Sequence, residues 1–140
     1  MARTTIRRVK NNTGSTIPRN TAVYINGYDN TLVEPTSTVD IASNDNNAKM
    51  PAIGLVLEDI DTNEIGIVRV NGIVGNVNTF GRSVNDPVYI GQNGNIIFEE
   101  PSESQEISQQ IGVVAKVGLN DGQVFIFPLE IKREISHNIL

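Results

Sequence analysis

The densest set of side chains capable of chemistry is Glu58-Asp59-Ile60-Asp61-Thr62-Asn63-Glu64. Asp59, Asp61 and Asn63 at alternate positions begin like a calcium loop. Such a loop continues with Gly at its sixth position and a bidentate Glu at its twelfth. Here those positions hold Glu64 and Val70. The run therefore reads as a solvated turn between two strands, where Asp and Asn are at home. Glu58, Asp59 and Asp61 are also the carboxylates a hydrolytic enzyme would have to use, but no acid/base pair is recognisable from their spacing. The chain has no Cys, which removes thiol nucleophiles, disulfides and thiolate metal sites, and one His, His137, near its end. That leaves no Ser-His-Asp triad within the fold and no site of several imidazoles. No phosphate-binding glycine motif is present. The expectation is a non-enzymatic protein with no cofactor and no metal.

Tyr24, Tyr28 and Tyr89 could form a stacking platform for sugars or bases. Aromatic residues are 5% of the chain and no basic residues interleave with these three, whereas a nucleic-acid platform needs both. The expected role of the tyrosines is packing with the hydroxyl at a rim. Net charge is −5 over 140 residues, unevenly placed. Arg3, Arg7, Arg8 and Lys10 make residues 1–10 basic by four charges. Residues 132–140 add one positive charge, and residues 11–131 carry −10. An acidic body argues against nucleic acid as a partner. No run approaches 18 consecutive apolar residues and no signal-peptide pattern opens the sequence, so no membrane is expected and synthesis in a cytoplasm is.

The elements that would position these residues are strands. Val and Ile dominate the apolar residues, and short β-rich runs alternate with Gly, Asn, Asp and Pro. Strands are expected at about 5–10, 21–26, 31–34, 53–57, 65–70, 72–77, 87–90, 95–98, 111–117 and 123–129. Turns are expected at Asn26–Asn30, Gly91–Gly94 and Leu119–Gly122. Polar loops span 35–50 and 99–110, the second with four Glu. These two are the candidate loops for a carbohydrate- or host-surface-binding module.

An internal repeat organises the runs. Ala22-Val23-Tyr24-Ile25 matches Pro87-Val88-Tyr89-Ile90. Ile53-Gly54-Leu55-Val56 matches Ile111-Gly112-Val113-Val114, and Gly66–Val70 matches Gly122–Ile126. Gly14–Pro18 loosely matches Gly81–Asn85. One such half could not bury its apolar face alone, so two packed halves are expected to make an all-β small barrel or sandwich. The expected organisation is a basic N-terminal arm (1–10), one β-domain (11–131, halves of about 12–77 and 78–131) and a C-terminal tail (132–140).

The run Met50-Pro51-Ala52-Ile53-Gly54-Leu55-Val56-Leu57-Glu58-Asp59-Ile60, then Gly66-Ile67-Val68-Arg69-Val70-Asn71-Gly72-Ile73-Val74, Pro87-Val88-Tyr89-Ile90 and the closing Ile111-Gly112-Val113-Val114 resembles small β-rich virion proteins of tailed bacteriophages. That group includes capsid decoration (auxiliary capsid) proteins and bases of head or tail fibres. The resemblance covers about residues 12–130, and the long 35–50 loop and the C-terminal tail depart from it. It implies a virion protein, often a homotrimer, that binds the major capsid protein or another virion protein by surface and arms, without catalysis. The residues expected to bind this partner are Arg3, Ile6, Arg7, Arg8 and Val9 in the N-terminal segment and Ile135, Ile139 and Leu140 in the tail.

Overall fold

The computed structural model describes residues 5–131. Its strands are β1 (Thr5–Asn11), β2 (Ala22–Asp29), β3 (Thr36–Ile41), β4 (Gly54–Val56), β5 (Ile65–Val77), β6 (Pro87–Ile90), β7 (Ile96–Ile97), β8 (Gln110–Lys116) and β9 (Gly122–Ile126), with a 3₁₀ turn at Asn47–Lys49. The fold is all-β, as the Val/Ile-rich runs predict. All nine strands join one continuous sheet, ordered β1-β3-β2-β4-β5-β9-β8-β6-β7. A further β1–β5 pairing closes β1, β3, β2, β4 and β5 into a ring, while β9, β8, β6 and β7 extend from β5 as an open sheet.

Each ring strand sends one fully buried valine into the middle: Val9, Val39, Val23, Val56 and Val68. Ile17 and Ile60, bridged to each other, close one end of this layer. A second cluster lies between the ring and the open sheet. Ala22, Ala42, Met50, Ala52 and Leu55 meet Val74, Val88, Ile90, Ile111, Val114, Val124 and Ile126 there.

The two halves share a hydrogen-bond register. Ala22 pairs with Leu55 and Val23 with Gly54, just as Pro87 pairs with Val113 and Val88 with Gly112. Val56 opposes Val68 as Val114 opposes Val124. Asn20 and Asn85, two residues before the matching strands, both have positive φ (66° and 80°). Each donates its N–H to the matching carbonyl, Val56 at 2.8 Å and Val114 at 2.7 Å. The upstream match is therefore shifted by two residues, so Pro18 corresponds to Ser83. The equivalence extends to β1, since Ile6 opposes Arg69 as Ile73 opposes Phe125. By pairing, β1 through the first part of β5 matches the rest of β5 through β9. The second set does not close a ring, because β7 is two residues long and does not reach β5.

Three expectations are corrected. No strand forms at 31–34. The strand lies at Thr36–Ile41, in the segment expected to be loop, because its Ser and Thr residues pair between β1 and β2. The turn expected at Asn26–Asn30 is a bulge within β2, and the chain reverses after Asp29. The strands expected at 65–70 and 72–77 are one 13-residue strand, β5, in which Gly72 takes φ 122°. The turn at Gly91–Gly94 forms as expected. It is also hydrogen-bonded to the first half, since Gly94 donates to the Ala42 carbonyl and accepts from the Ala22 N–H.

Candidate functional site

Within the acidic run, Asp59, Asp61 and Asn63 make bonds that hold neighbouring loop segments. The Asp59 carboxylate accepts the Arg19 N–H at 2.8 Å and Asp61 accepts the Thr16 hydroxyl at 2.9 Å. Asn63, at φ 67°, donates its N–H to the Asn11 carbonyl. These bonds hold residues 11–19 across the end of the ring. Among the described residues no three His, Cys, Asp or Glu side chains gather as a metal would require.

The basic N-terminal segment contains a ring strand. Val9 is fully buried as one of the five core valines, so it belongs to the core and is withdrawn from the partner-binding set. Alternation along β1 then turns Ile6, Arg8 and Lys10 to the outer face, where their antiparallel partners on β5 are Arg69, Ile67 and Ile65. Each cross-strand pair joins one cation to one isoleucine, with Arg8 and Lys10 neighbours on β1 and Ile67 and Ile65 neighbours on β5. Ile6 is 51% and Ile65 40% exposed. Leu32, Val33 and Glu34 from the β2–β3 connection stand beside it and form with Arg8 and Ile65 a groove of about 580 Å³. Val33, at the tip, is fully exposed.

Neighbouring polar groups set the orientation of the cations. Arg8 donates to the Thr36 hydroxyl at 3.2 Å and lies 3.5 Å from the Glu34 carboxylate. Arg7 donates to the Ser37 hydroxyl at 2.8 Å. Lys10 donates to Asp29 at 2.7 Å, a pair that is largely shielded from solvent. The Lys10 bond first, and then the Thr31 hydroxyl and N–H, hold the Asp29 carboxyl well below the usual carboxylate range.

Of the expected partner-binding residues, Ile6 and Arg8 lie on this face, and Arg7 between them turns to the same face of β1 as Val9. Arg3, Ile135, Ile139 and Leu140 lie outside the described residues. The sequence reading missed Leu32, Val33, Ile65, Ile67 and Arg69. Alternation marked the β5 residues as one face of a strand, but their pairing with β1 joins segments about 60 positions apart and left no local signal.

The three tyrosines do not form one platform. Tyr24 packs against the cluster between ring and open sheet, and its hydroxyl pKa is raised by burial and then by nearby Asp40. Tyr89 holds the matching place in the second half, and Tyr28 is exposed near the end of β2. A separate cleft of about 530 Å³ opens where the halves meet. Its lining includes Arg19, Asn20, Asn76, Asn93, Asn95 and Phe98.

No protein-family model and no curated protein sequence matches the chain. A solved structure shares its fold: the N base of head fibre gp8.5 in bacteriophage phi29, 11% identical, with a TM-score of 0.51 over 91% of this chain and 99% of that one.

Proposed function

We propose that this chain is a non-enzymatic structural protein of a tailed-phage virion. It would bind the major capsid protein or another head protein as a decoration, auxiliary capsid or head-fibre component. The observation that carries this reading is the likeness in fold to a phage head-fibre base across almost the whole of both chains. The outer face of β1 and β5 supplies a suitable contact. Three isoleucines beside Arg69, Arg8 and Lys10, of which Lys10 is paired with Asp29 and Arg8 lies near Glu34, complement a surface that is part acidic and part apolar. Many such weak contacts on a repeating lattice combine to tight attachment without a deep pocket. A homotrimer fits this role, and neither nucleic acid nor a membrane is required.

The test is immunogold labelling of intact virions propagated from the genome that encodes the chain. Gold on the head is the expected result, and virions whose heads carry none would overturn the reading.

A second reading, a carbohydrate- or host-surface-binding module, is favoured by the asparagine-lined cleft with Phe98 at its edge, because amides and an aromatic ring suit hydroxyl-rich ligands. A glycan array probed with the purified chain separates the two. Binding abolished by Asn93→Ala would move the function to that cleft.

A further inference from the structure

The second half leaves open a seam that the first half closes. In the first half β1 and β3 pair directly, with Lys10 opposite Thr38 and Asn11 opposite Val39. The matching elements of the second half are the last part of β5 and β7, and they do not pair. Val77 opposes Gly122 as Val9 opposes Gly66, and Ile96 opposes Ile90 as Val39 opposes Ile25. Val77 and Ile96 thus stand where the first half has two core valines on neighbouring strands. Here both line the cleft of about 530 Å³ between the halves. That cleft is the unclosed seam of the second half, and its volume lies within the range of small-molecule sites.

Polar side chains converge on this seam. Asn20 reaches in from the first half and donates its amide to the Gly75 and Asn76 carbonyls at 3.3 and 3.2 Å. Two carbonyls of β5 beside the seam are thereby taken, which weakens it as a template for an added strand. The Arg19 guanidinium and the side-chain amides of Asn76, Asn93 and Asn95 also line the cleft, and among the described residues they have no hydrogen-bond or ion-pair partner. Asp59 bonds the Arg19 N–H, not its guanidinium. Amides offer both donors and acceptors, the complement of sugar hydroxyls. Arg19 is the one charged side chain among the described residues of the lining, on a chain of net charge −5. A neighbouring groove, which shares Ile96 and Phe98 with the cleft, carries Glu99, Glu100, Glu103 and Glu106. Arg82 stands over the Phe98 ring at 4.8 Å from its centre, so a cation also marks the boundary between the two. A guanidinium without a partner, in a lining free of carboxylates, favours an anionic group, which it can bind through two parallel hydrogen bonds.

We infer that the seam between β5 and β7 binds a saccharide carrying an anionic group, carboxylate or phosphate, with Arg19 on the anion and the amides of Asn76, Asn93 and Asn95 on the hydroxyls. The inference rests on the saccharide reading of this cleft given above and names its ligand class. It is tested on the purified chain with no virion present, so its failure and the failure of the virion reading are separate results.

The experiment is an NMR titration of the isotope-labelled full chain with glucuronate, glucose-1-phosphate and glucose, each to about 20 mM, which reaches millimolar affinities. It is repeated for Arg19→Gln, which keeps hydrogen-bonding capacity and removes the charge. Arg69→Gln, the same change of charge on the β1–β5 face, is the control. The expected result is a shift of the Asn76, Asn93 and Asn95 resonances, with one or both anionic sugars bound at least about tenfold more tightly than glucose. The carboxylate and phosphate arms show which anion the seam takes. That preference should vanish in Arg19→Gln and persist in Arg69→Gln. Equal binding of all three sugars, or a preference that survives in a folded Arg19→Gln, overturns the inference and leaves the saccharide reading standing. A preference lost equally in Arg69→Gln traces to net charge and also overturns it. So does the absence of any shift at these residues, and the glycan array tests the wider saccharide reading independently.

Discussion

Gln109 shows how much one buried side chain does here. It is fully buried, accepts the Ala52 N–H at 2.8 Å, and donates to the Ala52 and Leu129 carbonyls at 2.9 and 3.0 Å. It thereby ties the first half to the segment after β9. Gln109→Leu leaves three backbone groups without a partner, and each unmet group costs about 1–3 kcal/mol. We expect a loss of about 3 kcal/mol or more in urea unfolding, and a loss below about 1 kcal/mol would show that water replaces the bonds. Lys10 and Asp29 give the pH-dependent counterpart. The Asp29 pKa is lower in the folded chain than its ordinary value of 3.8, so the unfolded state binds the proton more readily. Stability from this pair is present above that value and is lost as pH falls further through the depressed one. Melting temperatures of Asp29→Asn should therefore fall less steeply than those of the parent between about pH 4 and pH 2. Equal slopes would mean the bond contributes nothing. Neither pair was legible in the sequence. Gln109 lies in a polar, Glu-rich segment that reads as loop, and nothing local marks Lys10 as the partner of Asp29.

At the scale of elements, Gly54 and Gly112 give the repeat a physical cause. A Cβ on Gly54 would collide with the Arg69 carbonyl oxygen, and one on Gly112 with the Phe125 carbonyl oxygen. These carbonyls occupy matching places in the two halves, so both glycines allow the same close approach of neighbouring strands. Gly54→Ala and Gly112→Ala should each cost roughly 2–3 kcal/mol, because the obstacle is backbone and yields little. Gly75→Ala, with open space around it, should stay within about 0.5 kcal/mol. Chemical denaturation of the three variants checks the contrast, and equal effects would remove the explanation. The glycines, the Val/Ile runs and the Gly91–Gly94 turn were legible because the signals are local. β3 was not, because its Ser- and Thr-rich face borders the ring strands instead of filling a core, and only Val39 reaches the centre. The sequence reading divides β5 at Asn71, before Gly72, whereas in the structure Gly72, at φ 122°, marks the point where β5 passes from one half to the other.

At the scale of the whole molecule, strand order and duplication together explain why one half closes into a ring and the other stays open. The basic segment at the start of the chain is part of that architecture. Removing residues 1–10 would take out a ring strand and one of its five core valines, so such a deletion tests folding before it tests attachment. Substitutions on the outer face are the usable probes. Each cation removed from a partly exposed contact is worth about 1 kcal/mol, roughly fivefold in affinity. The effect should fade above about 0.5 M salt, where screening acts within a few Å.

The most direct measurement is co-sedimentation of the purified chain with phage heads lacking it, at low and high salt, comparing the parent with Arg8→Glu/Arg69→Glu and Ile6→Asp. The account predicts that both variants bind more weakly at low salt, by about tenfold or more for the double charge reversal, and that the charge effect shrinks at high salt. Parent-like binding by both folded variants at low salt would contradict attachment through the β1–β5 face.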